Sequence, residues 1–379
     1  MKNQLILGDN LEVLRDIPSE SVDLIYIDPP FFSNRHYEVI WGDAGEVASF
    51  NDRWAGGINH YIEWLYKRVE QLYRVLKPTG SFYLHCDWHA NAYIRVLILD
   101  KIFGDKNFIN EIVWKRTKGP KGSQFENTKY GVVTDTIFFY AKGKEYFFDD
   151  TRIRIPCPVL ELQKKYNKTD EKGAYREYPI LRSPCKGARP NLVYEYKGFT
   201  PPYYGWVVKK EKLQKIDERG DLGWRKNGMP FRKFRPEEDK GKTVSNIWTD
   251  IDIVLGSERI GYPTQKPEAL LERIIKASSN EGDIVLDAFC GGGTTPAVAR
   301  RLGRKFIGID QSVRAIAVSN ARLEKQTDLI VNDIYEVKTK SYDYEKLRNM
   351  DAFKFERLII ELFGGVPNIK QRSDGGKDG

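Results

Sequence analysis

Cysteine is scarce in this 379-residue chain: there are four, Cys86, Cys157, Cys185 and Cys290, far apart and with no CxxC pair. That spacing argues against a zinc knuckle or a disulfide framework and suits reduced thiols. Histidine is equally sparse at four. Two of them flank Cys86 in HCDWH, residues 85–89, but that segment follows the apolar strand GSFYL and has no second ligand cluster, so no metal is assigned. Long hydrophobic runs are missing too. No stretch approaches the roughly 20 apolar residues of a membrane helix, and the start MKNQLILGDN lacks the apolar stretch of a secretory signal. These absences predict a cytoplasmic protein without a membrane partner. Acid is the minority charge: 61 Lys and Arg against 53 Asp and Glu leave a net +8, which suits a polyanionic partner such as nucleic acid.

What is present alternates. VDLIYID, GSFYLHCD, TDTIFFYAK, DIVLDAF and RKFIGID are short apolar runs rich in strand formers. Between them, residues 60–77, NAYIRVLILDKIFG and PEALLERIIKASS carry apolar positions at helical spacing. That alternation predicts a parallel α/β sheet. The first long helix should stop at Lys77-Pro78-Thr79-Gly80, and PEALLERIIKASS should open with its proline in the first turn. The middle differs: it is rich in Lys, Arg, Tyr, Gly and Pro, with little periodicity, and reads as an insertion into a domain built from both chain ends.

Two segments carry chemistry. DAFCGGGTT, residues 287–295, is a glycine turn between a strand and a helix, where a backbone approaches a ligand at the carboxyl edge of a parallel sheet. It is neither a dinucleotide fingerprint, since Pro296 occupies the last glycine position, nor a phosphate-cradling loop, since no lysine follows. Asp287 at the strand end suits a cationic group, and Asp310 at the next strand end suits ribose hydroxyls. A cofactor with an amino acid end and a nucleoside end fits, namely S-adenosylmethionine. DPPF, residues 28–31, places a carboxylate, two prolines and an aromatic after a buried strand. An exocyclic base amine is a poor nucleophile because its lone pair is delocalised. Asp28 and the Pro29 carbonyl can hold its hydrogens, Pro29 and Pro30 fix the turn, and Phe31 can stack on a base taken out of the duplex. Read blandly, DPPF is an ordinary strand-to-loop break.

With these segments in order, the chain resembles the beta-group DNA amino-methyltransferases, which methylate adenine N6 or cytosine N4. The resemblance runs through LILGDNLEVLRDIPSESVDLIYIDPPF, FINEIVWKR, TDTIFFYAK, NIWTDI, YPTQKPEALLERII, DAFCGGGTT and FIGIDQS, over about residues 1–345. It implies a Rossmann-like methyltransferase sheet: a catalytic half at 1–115, a target-recognition insert at 116–245 that binds double-stranded DNA, and a cofactor half at 246–345. It also implies that Asp287, Phe289, Gly291, Gly293 and Thr294 line the donor's methionine end. Asp310 would take the ribose, Asp9 the donor's adenine, and Gln265 and Lys266 the carboxylate side. On its residues alone, Asp9 also reads as a cap for LEVLRDI and Lys266 as a surface charge. A leading Asp favours adenine N6. Phe31 stands where Tyr is commoner, and Ala288 where Pro is frequent.

Within the insert, RTKGPKGSQ, NLVYEYKGFTPPYYGW and GWRKNGMPFRKFR mix cations for phosphates with planar groups that stack, or else form a basic surface over a small aromatic core. The segment 346–379 ends in DGGKDG and resembles the opening of a nuclease domain, with Asp374 and Asp378 as its acids. The expectations are a nuclease domain beyond this chain or a disordered tail. A homodimer and a monomer both stay open. Rival functions are cytosine-N4 methylation, RNA or protein amide methylation, and a DNA-binding module without turnover.

Overall fold

VDLIYI, IVLD and KFIGID carry apolar residues at successive rather than alternate positions, as strands covered on both faces do. In the computed structural model they form the middle of a nine-stranded sheet. The structure describes residues 2–32, 57–117, 119, 130–262, 264–326 and 334–340, with Glu356 and Ile360. Most of RTKGPKGSQ, and the tail with Asp374 and Asp378, lie outside the described residues.

The strands of this sheet are β1 (Asn3–Leu7), β2 (Val22–Ile27), β3 (Leu76–Cys86), β4 (Phe108–Lys115), β5 (Thr134–Ala141), β10 (Ile247–Trp248), β11 (Ile284–Asp287), β12 (Lys305–Asp310) and β13 (Tyr335–Thr339). Their order is β10-β4-β5-β3-β2-β11-β12-β1-β13. β2, from the first half of the chain, therefore lies parallel to β11 from the last, with Leu24 opposite Val285 and Ile25 opposite Leu286. One expectation is corrected. The sheet is mixed, because β5 runs antiparallel to both β3 and β4.

Alternation along β2 shows how the faces are covered. Ile25 and Ile27 point into a core shared with α1 (Asn10–Asp16), α2 (Gly57–Val75) and the helical residues 91–102, whereas Leu24 and Tyr26 point into a core shared with α5 (Glu268–Ser278), α6 (Thr294–Arg301) and α7 (Val313–Glu324). Full burial of each such side chain stabilises by about 1.5–3 kcal/mol, which fixes the register of the central strands. The breaker at Lys77–Gly80 ends α2 but then enters β3 as an irregularity, and pairing jumps from Val22–Leu76 to Leu24–Ser81. Pro267 caps α5 from outside rather than sitting in its first turn.

The chain divides into two compact units. Residues Met1–Ile153 and Val244–Gly379 form one, and Arg154–Thr243 the other. The insert expected over 116–245 is wider than this second unit, and β5, which lies inside the expected range, pairs in the large sheet. The second unit holds α3 (Val159–Lys165), β6 (Lys168–Asp170), β7 (Gly173–Pro179), α4 (Lys210–Glu218), β8 (Leu222–Trp224) and β9 (Pro230–Phe234), with its sheet in the order β6-β7-β9-β8. Ile180, Trp206, Leu213, Ile216 and Leu222 form its own buried core.

Candidate active site

Four neighbouring strands end in acids. Asp287 and Asp310 close β11 and β12, Asp28 directly follows β2, and Asp9 lies two residues past β1. Because β2, β11, β12 and β1 are parallel neighbours, all four acids reach the same carboxyl edge of the sheet, where open α/β folds bind ligands.

Asp28 is mostly buried, with 15% of its side chain exposed. One carboxylate oxygen, Oδ2, accepts from the Lys266 ammonium. The other, Oδ1, is buried without a hydrogen-bond partner and lies 4.0 Å from His85 Nδ1. Phe31 packs against the His85 ring at 5.7 Å between centroids, and the Lys266 ammonium lies 5.3 Å from the Phe31 centroid. An aromatic face, an unsatisfied carboxylate oxygen and a backbone fixed by Pro29 and Pro30 thus share one corner. A buried acceptor left unpaired costs about 1–3 kcal/mol, so this corner favours an N–H donor.

The glycine turn builds the adjoining crevice. Asp287 accepts from the Thr295 hydroxyl (2.5 Å) and the Phe289 N–H (3.0 Å), and burial, with Asp28 and Asp310 nearby, pushes its carboxyl up to about 7. Asp310 accepts from the Gly291 and Ser312 N–H groups, both at 2.9 Å; its depth still raises its carboxyl, against those hydrogen bonds. Gly291 and Gly293 have φ of +49° and +70°, and a Cβ on Gly293 would lie 2.6 Å from Ser319 Oγ. Thr294 opens α6, donates to the Lys266 carbonyl (3.2 Å) and accepts from Arg322 (3.0 Å). Phe289 packs on Trp64 at 5.8 Å. Asp28, Asp287 and Asp310 therefore bring three carboxyls to one place, and a cationic ligand group there would favour their charged forms.

Three expected residues make contacts within the protein. The Asp9 carboxylate caps α1 through the Leu11 N–H (2.8 Å) and accepts from Arg68 at 3.1 and 2.8 Å, which is the capping alternative of the sequence reading. Gln265 donates to the Glu258 carbonyl (2.7 Å) and accepts from the Ile260 N–H (3.1 Å), so its side chain braces the loop before α5. Lys266, expected at the donor's carboxylate, donates to Asp28.

Residues 22–321 match the family of N6 and N4 DNA methylases. The chain belongs to this family. Among related proteins, the type II methyltransferase M.EcaI of Enterobacter cloacae is 33% identical over 330 residues, covering 83% of this chain and 68% of that protein. The DNA adenine methyltransferase YhdJ of Escherichia coli K12 is 30% identical over 338 residues, covering 89% and 87%. A solved structure of the M1.HpyAVI–SAM complex is 18% identical, covers 84% of this chain and 98% of that one, and superposes with a TM-score of 0.44.

The methylase sequence also holds a buried network that motif reading missed. Burial raises the Tyr26 phenol well above its usual range and keeps it a donor; its hydroxyl lies 2.9 Å from His85 Nδ1, which leaves Nε2–H for Asp135 at 3.3 Å. His85, fully buried, backs the Phe31 ring from β3. The signal was register: Ile27 pairs with Leu84, so Asp28 and His85 are the next residues of two adjacent parallel strands.

Proposed function

We propose that this DNA methylase transfers a methyl group from S-adenosylmethionine to adenine N6 in double-stranded DNA. One observation carries the reading: Asp28 keeps a buried, unsatisfied carboxylate oxygen beside Phe31, at the corner adjoining the Asp287–Asp310 crevice. The residues fit the cofactor on chemical grounds. A group bearing a sulfonium and an ammonium suits three clustered carboxylates, and a carboxyl pushed up to about 7 is one that a cation would return to its charged form.

When bound, S-adenosylmethionine supplies an electrophilic methyl. Asp287, Phe289, Gly291, Gly293 and Thr294 would hold its amino acid end and Asp310 its ribose. Asp28 accepts an amino hydrogen of the target, with the Pro29 carbonyl as the second acceptor, so that the nitrogen lone pair turns out of conjugation toward the donor pocket. Phe31 stacks on the extruded base. Adenine is favoured by the leading Asp of the tetrapeptide and by the adenine specificity in the name of the Escherichia coli relative.

In this reading, residues 154–243 contact the DNA. A cleft of about 600 Å³ there is lined by Arg154, Lys165, Arg176, Lys212, Arg232 and Lys240 around Phe234, against two acids, Glu238 and Asp239. That excess of cations suits phosphates.

Nucleoside mass spectrometry on DNA incubated with donor tests the reaction. N6-methyladenine should appear with wild type, and Asp28→Ala should cut the rate by roughly 10²–10⁴-fold or more while donor affinity holds. N4-methylcytosine would replace the adenine assignment, and a near wild-type rate in Asp28→Ala would overturn the role of the carboxylate.

A further inference from the structure

Lys266 stands at both groups that a target base engages. Its ammonium donates to Asp28 Oδ2 and lies 5.3 Å from the centroid of Phe31, so it engages both the acceptor and the stacking face. The ammonium is mostly buried, with 15% of the side chain exposed. Its backbone is anchored: the Lys266 carbonyl accepts from Thr294 at 3.2 Å, Thr294 is held by Arg322 at 3.0 Å, and Gln265 is tied to the loop at 258–260. Pro267 and α5 follow at once. The peptide at 266 is thus fixed to the donor turn, and the flexible four-carbon stem alone can withdraw.

We propose that Lys266 is an internal stand-in for the target base, which an incoming base must displace from the face of Phe31 before its amine reaches the unpaired Asp28 Oδ1; this inference rests on the methyltransferase reading above. Before a base arrives, the ammonium satisfies one oxygen of a buried carboxylate that lies near Asp287. A base with an exocyclic amine brings a replacement N–H to Asp28. A base that presents only a carbonyl oxygen brings an acceptor against an acceptor, so exchange is unfavourable and the lysine returns. Because the empty pocket is already occupied, the apparent affinity for the extruded base is lowered by the fraction of molecules in which Lys266 is withdrawn. Lys266 is therefore a specificity and positioning residue that couples the donor turn to the base pocket.

The test places 2-aminopurine beside the target adenine mapped by strand sequencing, so that the target keeps its N6 amine, and reads the fluorescence gained when that adenine leaves the stack, alongside methylation of the unmodified duplex. Lys266→Met should raise the extruded fraction at fixed protein by about threefold or more. Lys266→Arg, which keeps a cation, should stay near wild type. If wild type methylates DNA but Lys266→Met extrudes the base no more often than wild type, the stand-in role fails and the function stands. If Lys266→Arg rises as far as Lys266→Met, competition by charge is wrong. A wild type that methylates no DNA removes the function and this inference with it.

Discussion

Asp287 is the residue whose burial has the most direct thermodynamic consequence. Its carboxyl rises from the ordinary 3.8 to about 7, so between those values the folded protein holds a proton that the unfolded chain has lost. Stability contributed at this site is therefore full at low pH, declines as pH rises across that window, and is level above it. Asp287→Asn removes the titration. Relative to wild type, its stability should improve from pH 4.5 to pH 7.5 by on the order of 2–4 kcal/mol, at about 1.4 kcal/mol per pH unit. Urea titrations at both pH values check this, and parallel profiles would sink it. At this scale the sequence was legible where chemistry is local. Asp28, Phe31, Asp287 and Asp310 each sit at a strand end that the apolar pattern marks. Asp9 and Gln265 were not legible, since the groups that engage them, Arg68 and the loop at 258–260, follow from α2 packing and from a loop fold without periodicity. Lys266 lies 238 positions from Asp28, and neither residue type announces the other.

At the scale of elements, the turn into α6 is the most demanding junction. Gly293 is its N-cap at φ +70°, and the space a side chain would take is filled by Ser319, whose hydroxyl donates to the Gly291 carbonyl at 2.8 Å. Gly293→Ala should cost roughly 2 kcal/mol or more in denaturant titration and should weaken donor binding with it, because the same turn shapes the crevice. A variant as stable as wild type would show that α7 yields there. Strand identity was readable from apolar runs, but strand direction was not. A strand buried on both faces reads the same in either sense, and β5 was accordingly expected to be parallel. The compact second unit starts at 154, later than the insert expected from 116, because composition weighted the basic residues after 116 over the strand pattern TDTIFFYA.

For the whole molecule, the second unit is a compact body of its own, spanning Arg154–Thr243. Within it Ile155 and Lys242 exchange backbone hydrogen bonds of 3.0 and 2.9 Å, so its two chain ends meet. It has its own buried core. Replacing residues 154–243 by a short Gly-Ser linker should leave cooperative unfolding and donor affinity within a few-fold of wild type. DNA affinity should fall at least about tenfold, and much of its salt dependence should go. Loss of donor binding in a folded variant would mean that the unit supports the crevice; unchanged DNA affinity would place the DNA surface elsewhere.

The strand order also sets a timetable for synthesis. β1 is the earliest strand among the described residues, and both its neighbours, β12 and β13, come after residue 304. At about 5–20 residues per second, a ribosome needs roughly 15–60 s to travel from one to the other. Through that interval NQLIL has both edges open, and β2 waits in the same way for β11. Residues 154–243 emerge with everything their core requires. The nascent chain thus carries a finished small unit and an unfinished sheet, and its exposure to aggregation is concentrated in the first 27 residues, which makes them the segment a chaperone would have most reason to hold.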